Sequence, residues 1–175
     1  GGAVLSDASR PGQSLLLLLD AIQPVGVTRF LLDRNNLLPM LGAAAGQNNL
    51  LPVHVIESGA FHNLAWTVSV VSNAPYGTPI LQARLQYADK NEARVEVKHG
   101  SLEALPLALG QTARLALQPL HRADIGFGPG RAQAITVTGG ALGVVIDARG
   151  RPLQLPSDAV RRRELFKKWL WTLGG

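Results

Sequence analysis

The chain has 175 residues, of which 46% are apolar and 17% charged, and it carries a net charge of +5 at neutral pH. This length and apolar content support a packed core and exclude a disordered chain. The absence of cysteine excludes a disulfide scaffold, a thiolate metal site and a thiol nucleophile. From residue 1 to 148 ten basic residues balance ten acidic ones, whereas residues 149 to 168 hold seven basic and two acidic ones. One basic end, rather than a uniformly basic surface, is the reading.

In chain order, the first element is a helix from Pro11, which suits a first helical turn, through Leu15–Leu19 to Ile22. Gln23-Pro24 ends it, because a residue before proline avoids helical geometry. Five consecutive leucines make no one-sided stripe, so this helix is expected to be covered on most sides. The Leu15–Leu19 run stops at Asp20, far short of a membrane span. Phe30-Leu31-Leu32 reads as a short strand, Asp33 to Asn36 as a turn, and Leu37 to Ala45 as a short helix.

After a break at Gly46 to Asn49 the pattern turns to strands. The predicted ones are Leu51–Ile56, Trp66–Val71, Ile80–Tyr87, Ala93–Lys98, Thr112–Leu117, Ile135–Thr138, Leu142–Ala148 and Leu153–Leu155. Leu81, Ala83 and Leu85 alternate with Gln82, Arg84 and Gln86, the period of a half-buried strand. Short strands separated by turn signals predict a small β-barrel or sandwich. The last element is an amphipathic helix capped by Ser157 or Asp158, with Leu165, Phe166, Trp169, Leu170 and Leu173 on one face. The expected fold is therefore α+β: mainly β with flanking helices, comprising a helical N-terminal piece (residues 1–48) and a β-rich domain with its C-terminal helix (residues 49–175).

The chemistry-bearing motifs are few. In Thr136–Pro156 a glycine turn leads into Val144-Val145-Ile146, and Asp147, Arg149 and Arg151 crowd a turn closed by Pro152. An Asp147 pair with Arg149 or Arg151 is expected to fix a half-exposed hairpin, worth at most about 1 kcal/mol. The spare arginine is expected to join Arg131 at a basic, anion- or partner-binding surface. Asp124–Arg131 is glycine-rich and ends in a cation, so its amides suit an anion, but it matches no P-loop or dinucleotide fingerprint. His54, His62, His99 and His121 show no metal-ligand spacing. No serine has a recognisable triad around it.

GGALGVVIDARGRPLQLPSDAVRRRELFKKWLWTLGG, preceded by LHRADIGFGPGR, resembles the C-terminal end of the glutamate mutase L family, actin-like ATPases linked to a cobalamin-dependent carbon-skeleton mutase. GGAVLSDASRPGQSLLLLLDAIQPVGVT resembles the last part of that family's ATPase domain. The resemblance implies that Gly1-Gly2 occupy the turn that approaches a nucleotide's adenosine, with an expression scar as the alternative. It also implies that the chain is a C-terminal fragment without the upstream phosphate-binding loops, so ATP and magnesium belong only to the intact parent. The implied function is a non-catalytic interaction or regulatory module, cytoplasmic, whose partner is the remaining ATPase domain or a mutase subunit. The alternatives are a basic nucleic-acid- or anion-binding barrel, or an enzyme with a site at the GFGPGR and DARGRP turns.

Overall fold

The computed structural model describes residues 10 to 174. Among them it is an α+β structure of four helices and eight strands arranged in two four-stranded sheets. The chain order is α1 (Pro11–Ile22), β1 (Gly26–Leu32), α2 (Leu38–Ala45), α3 (Leu51–Glu57), β2 (His62–Ser69), β3 (Pro79–Gln86), β4 (Glu92–Lys98), β5 (Leu102–Leu105), β6 (Thr112–Pro119), β7 (Gln133–Thr138), β8 (Val144–Asp147) and α4 (Ala159–Thr172).

One sheet runs β1-β2-β8-β5 and the other β4-β3-β6-β7. The second is antiparallel throughout, and in the first only β2 and β8 run parallel. Val144 and Ile146 enter the larger core with Val68 of β2 and Leu81, Leu85, Leu115 and Val137 of the second sheet. Val145 points the other way, into a smaller core with Leu15 and Leu19 of α1, Leu64 of β2, and Trp169 and Leu173 of α4. All four residues of β8 are buried. That is why the sequence there is a continuous β-branched run and not an alternating one.

Several local expectations hold. Helix α1 has the predicted bounds, with Gln23 as a left-handed C-cap. The Asp33 carboxylate accepts the amides of Leu37 and Leu38 at the start of α2. Asp158 caps α4 by accepting from the Arg161 amide. Other expectations are corrected. Leu51–Ile56 is not a strand but most of helix α3, which Pro52 opens. Valines and isoleucine made it look β-like, yet no neighbouring strand offers the segment a ladder. Leu153–Leu155 forms no strand either; the Leu153 amide donates to the Gln23 side chain instead. Strand β5 went unread, because LEAL is too short to show a period. The 48/49 division falls inside the α2–α3 excursion, and β1 before it pairs with β2 after it.

The Gly-Gly turn before β8 is not a hairpin. It carries the chain from the edge of one sheet to the centre of the other. A Cβ on Gly139 would lie 1.9 Å from the Ala108 carbonyl oxygen, and one on Gly140 2.7 Å from that of Asn63. Asn63 Nδ2 donates to the carbonyls of Thr138 and Gly139 across this crossing. Backbone contact, not φ, demands glycine here. Gly139→Ala should cost about 1–3 kcal/mol or more through overpacking. Gly42→Ala, in α2 with nothing within 4 Å of the added methyl, should gain up to about 1 kcal/mol. Thermal melts of the two variants, shifting in opposite directions, check this account.

Candidate functional site

Strand β8 delivers Asp147 and the turn after it delivers Arg149 and Arg151; Asp147 and Arg149 are buried and Arg151 is partly buried. Arg149 is 1% exposed and Asp147 0%. Arg149 Nε donates to Asp147 Oδ1 at 3.0 Å and Nη2 to Oδ2 at 2.8 Å, a bidentate fork, while the Arg149 amide adds a third bond to Oδ1. Arg151 Nη2 reaches the same Oδ2 at 2.6 Å, and its remaining donors go to the carbonyls of Pro24 and Gly150 and to Ser69 Oγ. Neither arginine is spare, so the expectation of a half-exposed pair plus one free cation is corrected.

A fourth member comes from far upstream. Asp20 of α1 forms an ion pair with Arg149 Nη2 at 2.8 Å. Its Oδ1 makes no aligned hydrogen bond, which marks the contact as charge–charge. The Arg149 guanidinium also sits 4.6 Å from the centre of the Trp169 ring on α4, a cation–π stack. One side chain thus joins β8, α1 and α4. Nothing in the spacing around Asp147 announced Asp20. The available hint was a lone carboxylate ending a leucine run on a helix that must be covered on most sides.

The electrostatics follow from this packing. Burial would raise the Asp147 carboxyl, but hydrogen bonds and charge from Arg149, then Arg151, outweigh it and hold it below the ordinary range. Asp20 is pushed up: burial dominates and the Arg149 charge only partly offsets it. Burial would lower Arg149, yet Asp147 and Asp20 keep it firmly protonated. Two carboxylates face two guanidiniums, so the four formal charges of the cluster balance.

The other predicted residues lie apart from it. Arg131 is exposed beside Gly128, its side chain passing 3.4 Å from where a Gly128 Cβ would stand. In the Asp124–Arg131 loop the amides of Gly126 and Gly128 donate to Asp124 Oδ1. The loop therefore cradles an anion, and that anion is its own carboxylate. Gly1 and Gly2 lie outside the described residues. His99 is buried, stacked on Tyr76 at 4.4 Å, with Nδ1 2.6 Å from the Ala74 carbonyl oxygen. Among the described residues no group of three or more His, Cys, Asp or Glu side chains is placed to hold a metal, and no helix is long and apolar enough to cross a membrane.

The surface that sequence reasoning missed is the α2–α3 pair. Leu38, Met40, Leu50, Leu51, Val53 and Ile56 are all exposed, and Leu41 alone is buried in α2. From Asn35 to Ile56 no Asp, Glu, Lys or Arg occurs. Reading the segment as part strand hid this. Comparison with protein-family models, with curated proteins and with solved structures finds no match to this chain.

Two outcomes check the cluster. Asp147→Asn leaves two arginines facing a neutral amide and should cost about 3–5 kcal/mol in a denaturant titration. The sign of the pH effect follows from the direction of the shift. Because the folded carboxyl titrates below the unfolded value of 3.8, its stabilisation is complete above that value and is lost as pH falls through the lower folded pKa. The wild-type melting temperature should therefore drop more steeply than that of Asp147→Asn as pH is taken below 3.8. Trp169→Ala removes both the stack and core volume and should cost about 3–5 kcal/mol. Trp171→Ala, at an 80% exposed position, should change little.

Proposed function

We propose that this chain is a non-catalytic interaction module, and that its contact surface is the α2–α3 hairpin. The observation that carries the reading is the set of six exposed apolar side chains on a segment without charge. An exposed apolar patch of this kind is costly in water and marks protein contact surfaces. The two sheets serve as the facing layers of a sandwich, with the buried ionic cluster locking the helices to it rather than doing chemistry.

The resemblance to the glutamate mutase L family gives the module its setting: the C-terminal part of an actin-like ATPase, cytoplasmic, that acts as a chaperone or reactivating factor for a cobalamin-dependent mutase. The partner is then the remaining ATPase domain or a mutase subunit, and ATP with magnesium belongs to the intact parent. Arg131 is the one predicted cation left accessible for such a partner, and Gly1-Gly2 would be the remnant of the adenosine turn.

Two measurements test the proposal. Calorimetry with ATP and magnesium on this chain should show no turnover and no micromolar binding; turnover would overturn the module reading. The triple change Leu50→Ser, Val53→Ser, Ile56→Ser should leave the melting temperature within a few degrees, because these side chains are exposed, and abolish co-elution with the co-expressed ATPase or mutase subunit. Undiminished co-elution would remove the hairpin from the interface.

A second reading, anion binding on a basic face, is favoured by one observation. Three arginines share the outer face of the β4-β3-β6-β7 sheet.

A further inference from the structure

The outer face of the second sheet is a groove of about 740 Å³. Its floor is set by Ala116 and Ala134, which are cross-strand partners on β6 and β7. Two methyl groups side by side leave a depression between longer neighbours, with Gln82 and Gln118 paired along one rim. Across the same face, Arg84 of β3 stands directly opposite Arg94 of β4. Arg84 is also opposite Ala116, which places Arg114, two residues along β6, diagonal to it.

Like charges in direct cross-strand register destabilise a sheet. Glu92 is the carboxylate that meets them: it lies 3.7 Å from Arg84 Nη1 and contacts Arg94 Nη2. One carboxylate shared by two guanidiniums leaves one positive charge over. Among the described residues Arg114 has no ion-pair partner, and Glu96, opposite Gln82, has none either. The face thus sets three exposed guanidiniums against two carboxylates, an excess of one positive charge.

We propose that this groove binds an acidic segment of a partner protein, with Arg84 and Arg94, which line it, and Arg114 beyond its edge on the same face taking carboxylates, and Ala116 and Ala134 accommodating its backbone. The inference adds a second contact to the interaction-module reading and rests on it. One feature selects a peptide over a nucleic acid: no aromatic side chain lines the groove to stack a base. Discrete carboxylates match spaced, planar guanidiniums, which bind them in bidentate fashion.

Fluorescence anisotropy with the whole chain and a short fluorescein-labelled Glu-Ala repeat peptide tests this. The peptide should bind at low salt, weaken as salt rises, and outcompete a Gln-Ala peptide of the same length. The double change Arg84→Gln, Arg94→Gln should weaken binding at least about tenfold without lowering the melting temperature. Ala116→Leu, which fills the floor and keeps every charge, should weaken it as well. The idea fails if the neutral peptide binds equally, if neither variant weakens binding, or if no binding appears at low salt. It also fails if a single-stranded oligonucleotide binds more tightly than the peptide. The serine-substituted hairpin should bind the peptide normally, so failure of this groove and failure of the hairpin interface are told apart.

Discussion

The Arg149 guanidinium is the joint on which the rest of this structure depends. It is desolvated, and a lone buried cation is among the costliest things a protein can hold. Here the cost is met on three sides: a bidentate fork to Asp147, the charge of Asp20, and the face of Trp169. Each partner belongs to a different element. The three elements therefore have to arrive together: the fork fixes the guanidinium beside β8, Asp20 brings α1 to its charge, and Trp169 of α4 stacks on its face.

The same region shows how a strand comes to be buried on both faces. Strand β8 lies between β2 and β5, with one core above and another below. To reach that position the chain crosses from the other sheet through a passage too narrow for side chains, which is why Gly139 and Gly140 stand where they do. Further along, Gly26 and Gly126 press against each other closely enough that a Cβ on either would fall within 3 Å of the other's Cα. This brings the start of β1 against the loop that Asp124 organises. These four glycines mark backbone contacts between segments distant in sequence.

What was legible in the sequence was local. Pro11 and Gln23-Pro24 bounded α1, Asp158 announced α4, and the alternation of Leu81, Ala83 and Leu85 gave both the strand and its inward face. A pairing of Asp147 with Arg149 or Arg151 was also legible, because residues two and four apart around one tight turn are neighbours. Its burial was not, since that depends on α1 and α4 closing over it. The α2–α3 segment misled for a related reason. LPVHVIE has strand-like residues, yet it forms a helix with Pro52 in its first turn. Arg84 and Arg94 sat in two unremarkable alternating strands, and their direct opposition is a property of register that neither strand carries alone.

The position of the α2–α3 excursion has one further consequence. It leaves the sheet after Leu32 and returns at His62, and these two residues are paired partners in the β1–β2 ladder. The chain therefore travels out and back to the same spot. The ends of the excursion are held by the ladder, so closing it costs only slowly growing loop entropy, about 0.6 kcal/mol per doubling of length. The segment can lengthen, shorten or change its apolar surface while the scaffold below keeps its register. On the proposed function, this separates partner choice from folding along one chain.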